Sequence, residues 1–190
     1  MRSFLLTTDA DCVRFLLGEM VMNKNIRNMT HAAIIAGLYV VLTHMQNLLL
    51  PGSATWAIQM RVSEVLCILA FFTPAAILGL AVGCLVFNIT FAAALPLDFL
   101  VGSLATLIAA WIMWKTRNWK IGSYPLLGML MPALTNAVLV GWELSVYIGG
   151  GFWINAVYVF LGEAAVLLVP GSALYYAMRK RKLDTRLFGM

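Results

Sequence analysis

The sequence predicts an all-α integral membrane protein: six transmembrane helices in one bundle, with both termini in the cytoplasm. Three observations carry that expectation. Of 190 residues, 62% are hydrophobic and only 11% charged, with a mean hydropathy of +0.89, which leaves too little polar surface for a water-soluble globule. Residues 65–97 hold no charge at all, too long a run for one span and enough for two short ones. The bases gather at segment ends: a cytoplasmic N-terminus puts Lys24, Arg27, Lys115, Arg117, Lys120, Arg179, Lys180, Arg181, Lys182 and Arg186 inside and only Arg61 outside. The same distribution excludes a nucleic-acid ligand despite the net charge of +5, because no basic stretch is interleaved with aromatics along one face. The organisation expected is an N-terminal tail over residues 1–28, a six-helix membrane domain over 29–182 and a cytoplasmic C-terminal tail over 183–190.

The tail has no secretory apolar core, since Phe4 to Leu6 are followed at once by Asp9 and Asp11, and Met20 or Met22, just ahead of a basic stretch, is the expected alternative to Met1 as the start. The first span is expected over 31–50, with Thr30 as N-cap and Pro51-Gly52 as its end. Ala32, Ala33, Ala36 and Gly37 form two small-xxx-small pairs on it, which suit either a helix of this chain or a partner subunit. The uncharged run makes a hairpin of spans over 57–73 and 74–95, broken at Pro74, with Thr73 capping its second arm. A fourth span runs from Asp98 or Phe99 to Trp114, and a fifth over 124–142 is kinked at Pro132. Gly149, Gly150 and Gly151 form a turn before the sixth span, 152–178, which Pro170-Gly171 interrupts. Three cysteines, two of them inside apolar runs, read as core residues rather than a disulfide framework.

At 1.5 Å of rise per residue, the polar side chains fall in the outer half of the membrane. They are His44, Gln46, Asn47, Gln59, Arg61, Glu64, Asn88, Asp98, Asn136, Glu143 and Asn155, with Glu163 near the midplane. A carboxylate at membrane depth costs on the order of 2.5–3.5 kcal/mol on insertion scales, so such groups face the interior or a wet cavity. The inference is a pocket open to the outside above an apolar floor. Simpler roles stand beside it. Arg61 and Glu64, one turn apart, suit a mutual ion pair, Asp98 suits a helix cap, and Glu143 suits a solvated helix end. Asn88 and Asn136 suit interhelical glue. Glu163 is too deep to reach water and carries the strongest functional expectation.

Four acids against one base disfavour an anionic ligand. With Trp56, Trp142 and Trp153 nearby, the set suits a flat, donor-rich heterocycle such as a guanine-like ring, held by carboxylates at its N–H edge and an indole on its face. No catalytic constellation is expected. The Val101-Gly102-Ser103 fragment lacks a following glycine, both histidines lie on one segment, and no metal motif or cofactor motif occurs. A channel would carry polar groups through its full depth, which this chain does not. ATP hydrolysis is excluded as well, for want of a phosphate-binding loop.

The runs IQMRVSEVLCILAFFTPAAILGLAVGCLVFNI, LDFLVGSLATLIAA, MPALTNAVLVGWEL and LGEAAVLLVPGSALYYA resemble the queuosine-precursor transporter (QueT) family over about residues 29–180. That family consists of substrate-binding S components of energy-coupling factor (ECF) transporters. The resemblance implies an S-component bundle in the bacterial plasma membrane that captures a 7-deazaguanine, such as 7-cyano- or 7-aminomethyl-7-deazaguanine. Another small vitamin-like heterocycle is the alternative, and an intramembrane enzyme a weaker one. It places Arg61, Glu64, Asn88, Asp98, Asn136, Glu143 and Glu163 at polar motif positions, beside Gln59 from the depth argument, as substrate-binding candidates. It also implies an ECF T component and two ATP-binding cassette ATPases as partners, with Ala32 and Ala36 as the docking motif.

Overall fold

The computed structural model describes residues 24–51, 60–91, 95–122 and 124–183. The N-terminal tail with Met20, Met22 and Cys12, most of the C-terminal tail, Trp56 and Gln59 lie outside them. The described chain is helical throughout: α1 (Lys24–Leu49), a 3-10 helix (Val62–Phe71), α2 (Ala75–Thr90), α3 (Asp98–Lys115), α4 (Leu126–Met129), α5 (Met131–Tyr147), α6 (Phe152–Val166), a π-helical turn (Leu167–Gly171) and α7 (Ser172–Lys180). Four helical stretches are long and apolar enough to cross a membrane: Asn25–Leu49, Asp98–Lys115, Leu126–Tyr147 and Phe152–Lys180. Two shorter apolar helices, Val62–Phe71 and Ala75–Thr90, stand where the hairpin is expected.

The hairpin breaks where proline demands it, but its first arm is not α-helical. Thr73 Oγ1 accepts a hydrogen bond from the Ala75 N–H at 3.3 Å, and Pro74 sits at the N-cap of α2. Ahead of it the ten residues of the 3-10 helix rise about 2.0 Å each, so the segment reaches about 20 Å. It threads the middle of the bundle instead of lining it, packed by α1, α2, α3, α6, the π turn and α7. Ser63, Glu64, Cys67, Ile68, Ala70 and Phe71 on it are all buried.

Three expected boundaries move. α1 begins at Lys24, inside the expected tail, and Thr30 Oγ1 bonds the Ile26 carbonyl at 3.0 Å within the helix; it is not a cap. The polar Asn25 to Asn28 stretch continues the helix beyond its apolar part, which hydropathy alone does not reveal. Pro132 occupies the first turn of α5, and the helix is interrupted at Leu130, so the kink expected in the fifth span falls just ahead of the proline. That span also runs on past Trp142 to Tyr147. Pro170 leaves the sixth span continuous through a π turn. Gly149, Gly150 and Gly151 all have positive φ, as a tight turn between α5 and α6 requires.

Close approach by small residues joins the first two helices. A Cβ on Gly79 would come within 2.7 Å of the Ala32 carbonyl oxygen, and one on Gly83 within 3.0 Å of that of Ala36. Ala32 and Ala36 therefore seat α2 against α1, while Ala33 and Gly37 on the next face are exposed. The main apolar core gathers toward the end of the bundle that holds Pro74, Lys115 and Arg179, through Ile35, Cys67, Phe71, Leu80, Met113 and Tyr175. At the opposite end the apolar cluster is small: Val140, Leu144 and Val159. Between the two lies the polar interior.

Candidate functional site

Seven of the expected polar residues converge in that interior, and each is at most 5% exposed: Arg61, Glu64, Asn88, Asp98, Asn136, Glu143 and Glu163. Arg61, just ahead of the 3-10 helix, extends across to α3, where its Nη2 pairs with Asp98 Oδ2 at 3.2 Å. Its Nη1 lies 3.7 Å from Cys84 Sγ and its guanidinium 6.0 Å from the centre of the Phe87 ring. Asn88 donates from Nδ2 to the Asp98 backbone carbonyl at 2.8 Å, tying α2 to α3. Gly102 makes this crossing possible, since a Cβ there would stand 3.0 Å from both Asn88 Nδ2 and Asp98 Oδ1.

The simple pairing of Arg61 with Glu64 is not formed. Glu64 Oε1 accepts from the Tyr39 hydroxyl at 2.8 Å and Oε2 from Cys67 Sγ at 3.0 Å. Nor is Asp98 a cap, for Leu97 holds that position without a side-chain bond and Asp98 is spent on Arg61. Across the bundle, Asn136 Nδ2 bonds both oxygens of Glu163, at 2.7 and 2.8 Å, and so clamps α5 to α6. Glu143 is not a solvated helix end: it is fully buried, close enough to Asp98 and Arg61 to feel their charge.

Hydrogen bonding divides the cluster in two. Glu64 and Glu163 have partners on both oxygens, which hold them in place. Glu143 Oε1 and Oε2, Asp98 Oδ1 and Asn88 Oδ1 are buried acceptors that meet no donor. A buried acceptor without a donor costs on the order of 1–3 kcal/mol, and more when it carries charge. The set is thus acceptor-rich and short of donors, the chemistry of a site for a ligand that brings its own N–H groups. Among the described residues no group of three or more His, Cys, Asp and Glu side chains is arranged to hold a metal ion.

A model of the QueT transporter family matches residues 29–180, most of the chain. The chain belongs to the QueT transporter family. No curated protein and no solved structure matches it. For a QueT-family protein, the four apolar helices fit a multi-pass membrane protein, and the family assignment points to transport.

Other polar residues of this QueT-family chain serve its backbone instead of the cluster. Gln46 accepts from the Val62 N–H at 2.7 Å and donates to the Met60 carbonyl, fastening the start of the 3-10 helix to α1. Asn155 donates to the Gly149 carbonyl at 2.8 Å and closes the glycine turn. His44 bonds Thr90 at 3.1 Å and lies edge-on to Phe87. Trp142 and Trp153 do not stack over the cluster: they are 50% and 78% exposed and point outward, as indoles at a membrane interface do. All seven side chains are buried, so none of them lines an open pocket. Tyr39 belongs to the site and escapes sequence reading because it sits in an aliphatic run; the signal was a phenol at membrane depth, which needs a partner for its hydroxyl. Cys67 and Cys84 are buried as expected, yet both touch the polar network.

Proposed function

We propose that this chain is the S component of an ATP-driven ECF importer and captures a queuosine precursor, a 7-deazaguanine, between α3, α5 and the 3-10 helix. The observation that carries the proposal is the buried carboxylate of Glu143, whose two oxygens meet no donor, inside a QueT-family chain. A guanine-like edge offers an N–H and an amino group side by side, a match for both oxygens of one carboxylate. Asp98 Oδ1 and Asn88 Oδ1 take a further donor of the ligand. Glu64, Glu163, Asn136 and Arg61 position these groups, with Gln59 assigned to the site on its place in the sequence. Because these side chains are buried, capture requires the chain around them to move.

Energy comes from an ECF T component and two ATP-binding cassette ATPases in the bacterial plasma membrane. Ala32 and Ala36 underlie the docking face by drawing α2 against α1. Ala33 and Gly37, open on the same helix, are the surface a partner helix reaches. Titration calorimetry of the purified chain with 7-cyano- and 7-aminomethyl-7-deazaguanine tests the reading. Saturable binding of either one, lost in Glu143→Gln with folding intact, supports it. Failure of both heterocycles to bind overturns the substrate assignment.

A further inference from the structure

The end of the bundle away from the acid cluster carries a second built feature that substrate capture does not use. A cavity of about 180 Å³ opens there, walled by Phe71, Phe72, Arg117, Lys120, Tyr175 and Arg179. Its floor is aromatic and stiff. The Tyr175 ring meets Phe71 edge-on at 5.8 Å and lies tilted against Phe72 at 5.6 Å, itself only 1% exposed. Phe71 is in turn pinned by Gly128, where a Cβ would fall 2.7 Å from its ring.

The rim is cationic. Arg117 is half-buried, its guanidinium 3.8 Å from the centre of the Trp114 ring and its Nη1 bonded to the Trp114 carbonyl at 2.8 Å. Arg179 leans on Tyr175 at 5.7 Å, and Lys120 completes the rim from the segment after α3. None of the three forms an ion pair among the described residues, whose acids all belong to the distant cluster. Helix C-termini attract bases, which accounts for cations near the ends of α3 and α7. It does not account for three of them converging on one cavity, where mutual repulsion favours an anion between them. Trp119, Ile121 and Tyr176, next in the chain to residues that wall the cavity, are 67%, 72% and 52% exposed, as aromatic and apolar residues at a membrane–water interface are.

We propose that this cavity is a phosphate site, filled in the membrane by the headgroup phosphate of an anionic phospholipid. Arg117, Lys120 and Arg179 hold the phosphate through their N–H groups, and the acyl chains stay outside the buried rings of the floor. The site is independent of what the acid cluster binds.

Native mass spectrometry of the full chain from micelles doped with phosphatidylglycerol or phosphatidylcholine tests it, with inorganic phosphate as a separate arm. One phosphatidylglycerol is expected to be retained, and phosphatidylcholine not. Arg117→Gln with Lys120→Gln lowers that retention by about 25-fold, at about five-fold per charge near a membrane surface. Lys180→Gln with Arg181→Gln removes the same charge from residues that do not wall the cavity and is expected to lower retention clearly less than the cavity pair does. Since Lys120 is exposed, Lys120→Gln alone keeps the fold and is expected to cost about five-fold. Equal loss in both double variants, or equal retention, overturns the site. Binding of inorganic phosphate without retention of the lipid overturns the lipid assignment and identifies a free phosphate as the occupant.

Discussion

Glu143 and Glu163 are both buried carboxylates on neighbouring helices, and their surroundings assign them different work. Glu163 is clamped at both oxygens by Asn136, so its geometry is set before any ligand arrives, whereas Glu143 waits with both oxygens open. Glu143→Gln is therefore expected to raise the thermal stability of the ligand-free chain, by removing an uncompensated charge, and to lower ligand affinity at least about ten-fold. Calorimetry and thermal unfolding read the two effects; affinity equal to that of the parent would remove Glu143 from the site. Asp98→Asn takes from Arg61 its buried carboxylate and is expected to cost about 3–5 kcal/mol, measured as loss of folded protein in detergent. Replacing the pair together by Arg61→Met and Asp98→Leu is expected to cost less than that single change, because no buried charge is left behind. The polar set was legible from depth along each span. Its internal pairing was not: whether Arg61 meets Glu64 or Asp98 depends on how the 3-10 helix is turned toward α3, which no spacing within one segment encodes. Trp142 and Trp153 failed as stacking candidates for the same reason, since their faces look outward.

Among the elements, the α1–α2 contact shows how little room the bundle leaves. Gly79 and Gly83 lie on the Ala32 and Ala36 backbone, so Gly83→Leu is expected to force the helices apart and cost about 1–3 kcal/mol or more. A shift in the unfolding midpoint measures it, and unchanged stability would mean that α2 does not lie against α1 at this point. A Cβ at Gly37 would meet nothing within 4 Å, so Ala33→Leu with Gly37→Leu should leave stability and ligand capture unchanged. If a partner helix docks there, ATP-driven uptake in cells is abolished; uptake that persists removes this face from the docking surface. Small residues at four-residue spacing on α1 were visible in the sequence. Which pair faces α2 was decided by the glycines of the other helix. The 3-10 helix is the clearest departure from expectation: the sequence marks an apolar segment ending at a proline, but its central place and tight winding follow from the six elements packed around it.

For the whole molecule, the governing feature is the separation of a polar half, with all four acids of the described residues, from an apolar half rimmed by bases. The excess of Lys and Arg at the second end predicts that it faces the cytoplasm. In intact cells an impermeant maleimide is expected to label Pro51→Cys and to spare Lys180→Cys, both exposed positions, with Cys67 and Cys84 buried; the reverse pattern would invert the orientation. By itself the sequence determined the membrane class, the helical character, the places of the prolines and glycine turn, and which polar groups lie at depth. Hydropathy, proline geometry and rise per residue are properties of a single segment, and a single segment displays them. Only the tertiary structure decided that Glu143 is left without donors while Glu163 is not, that Ala32 and Ala36 lie against α2, and that Arg117, Lys120 and Arg179 meet around one cavity. Each of these depends on how one helix is rotated against another, which is settled by packing between segments far apart in the chain.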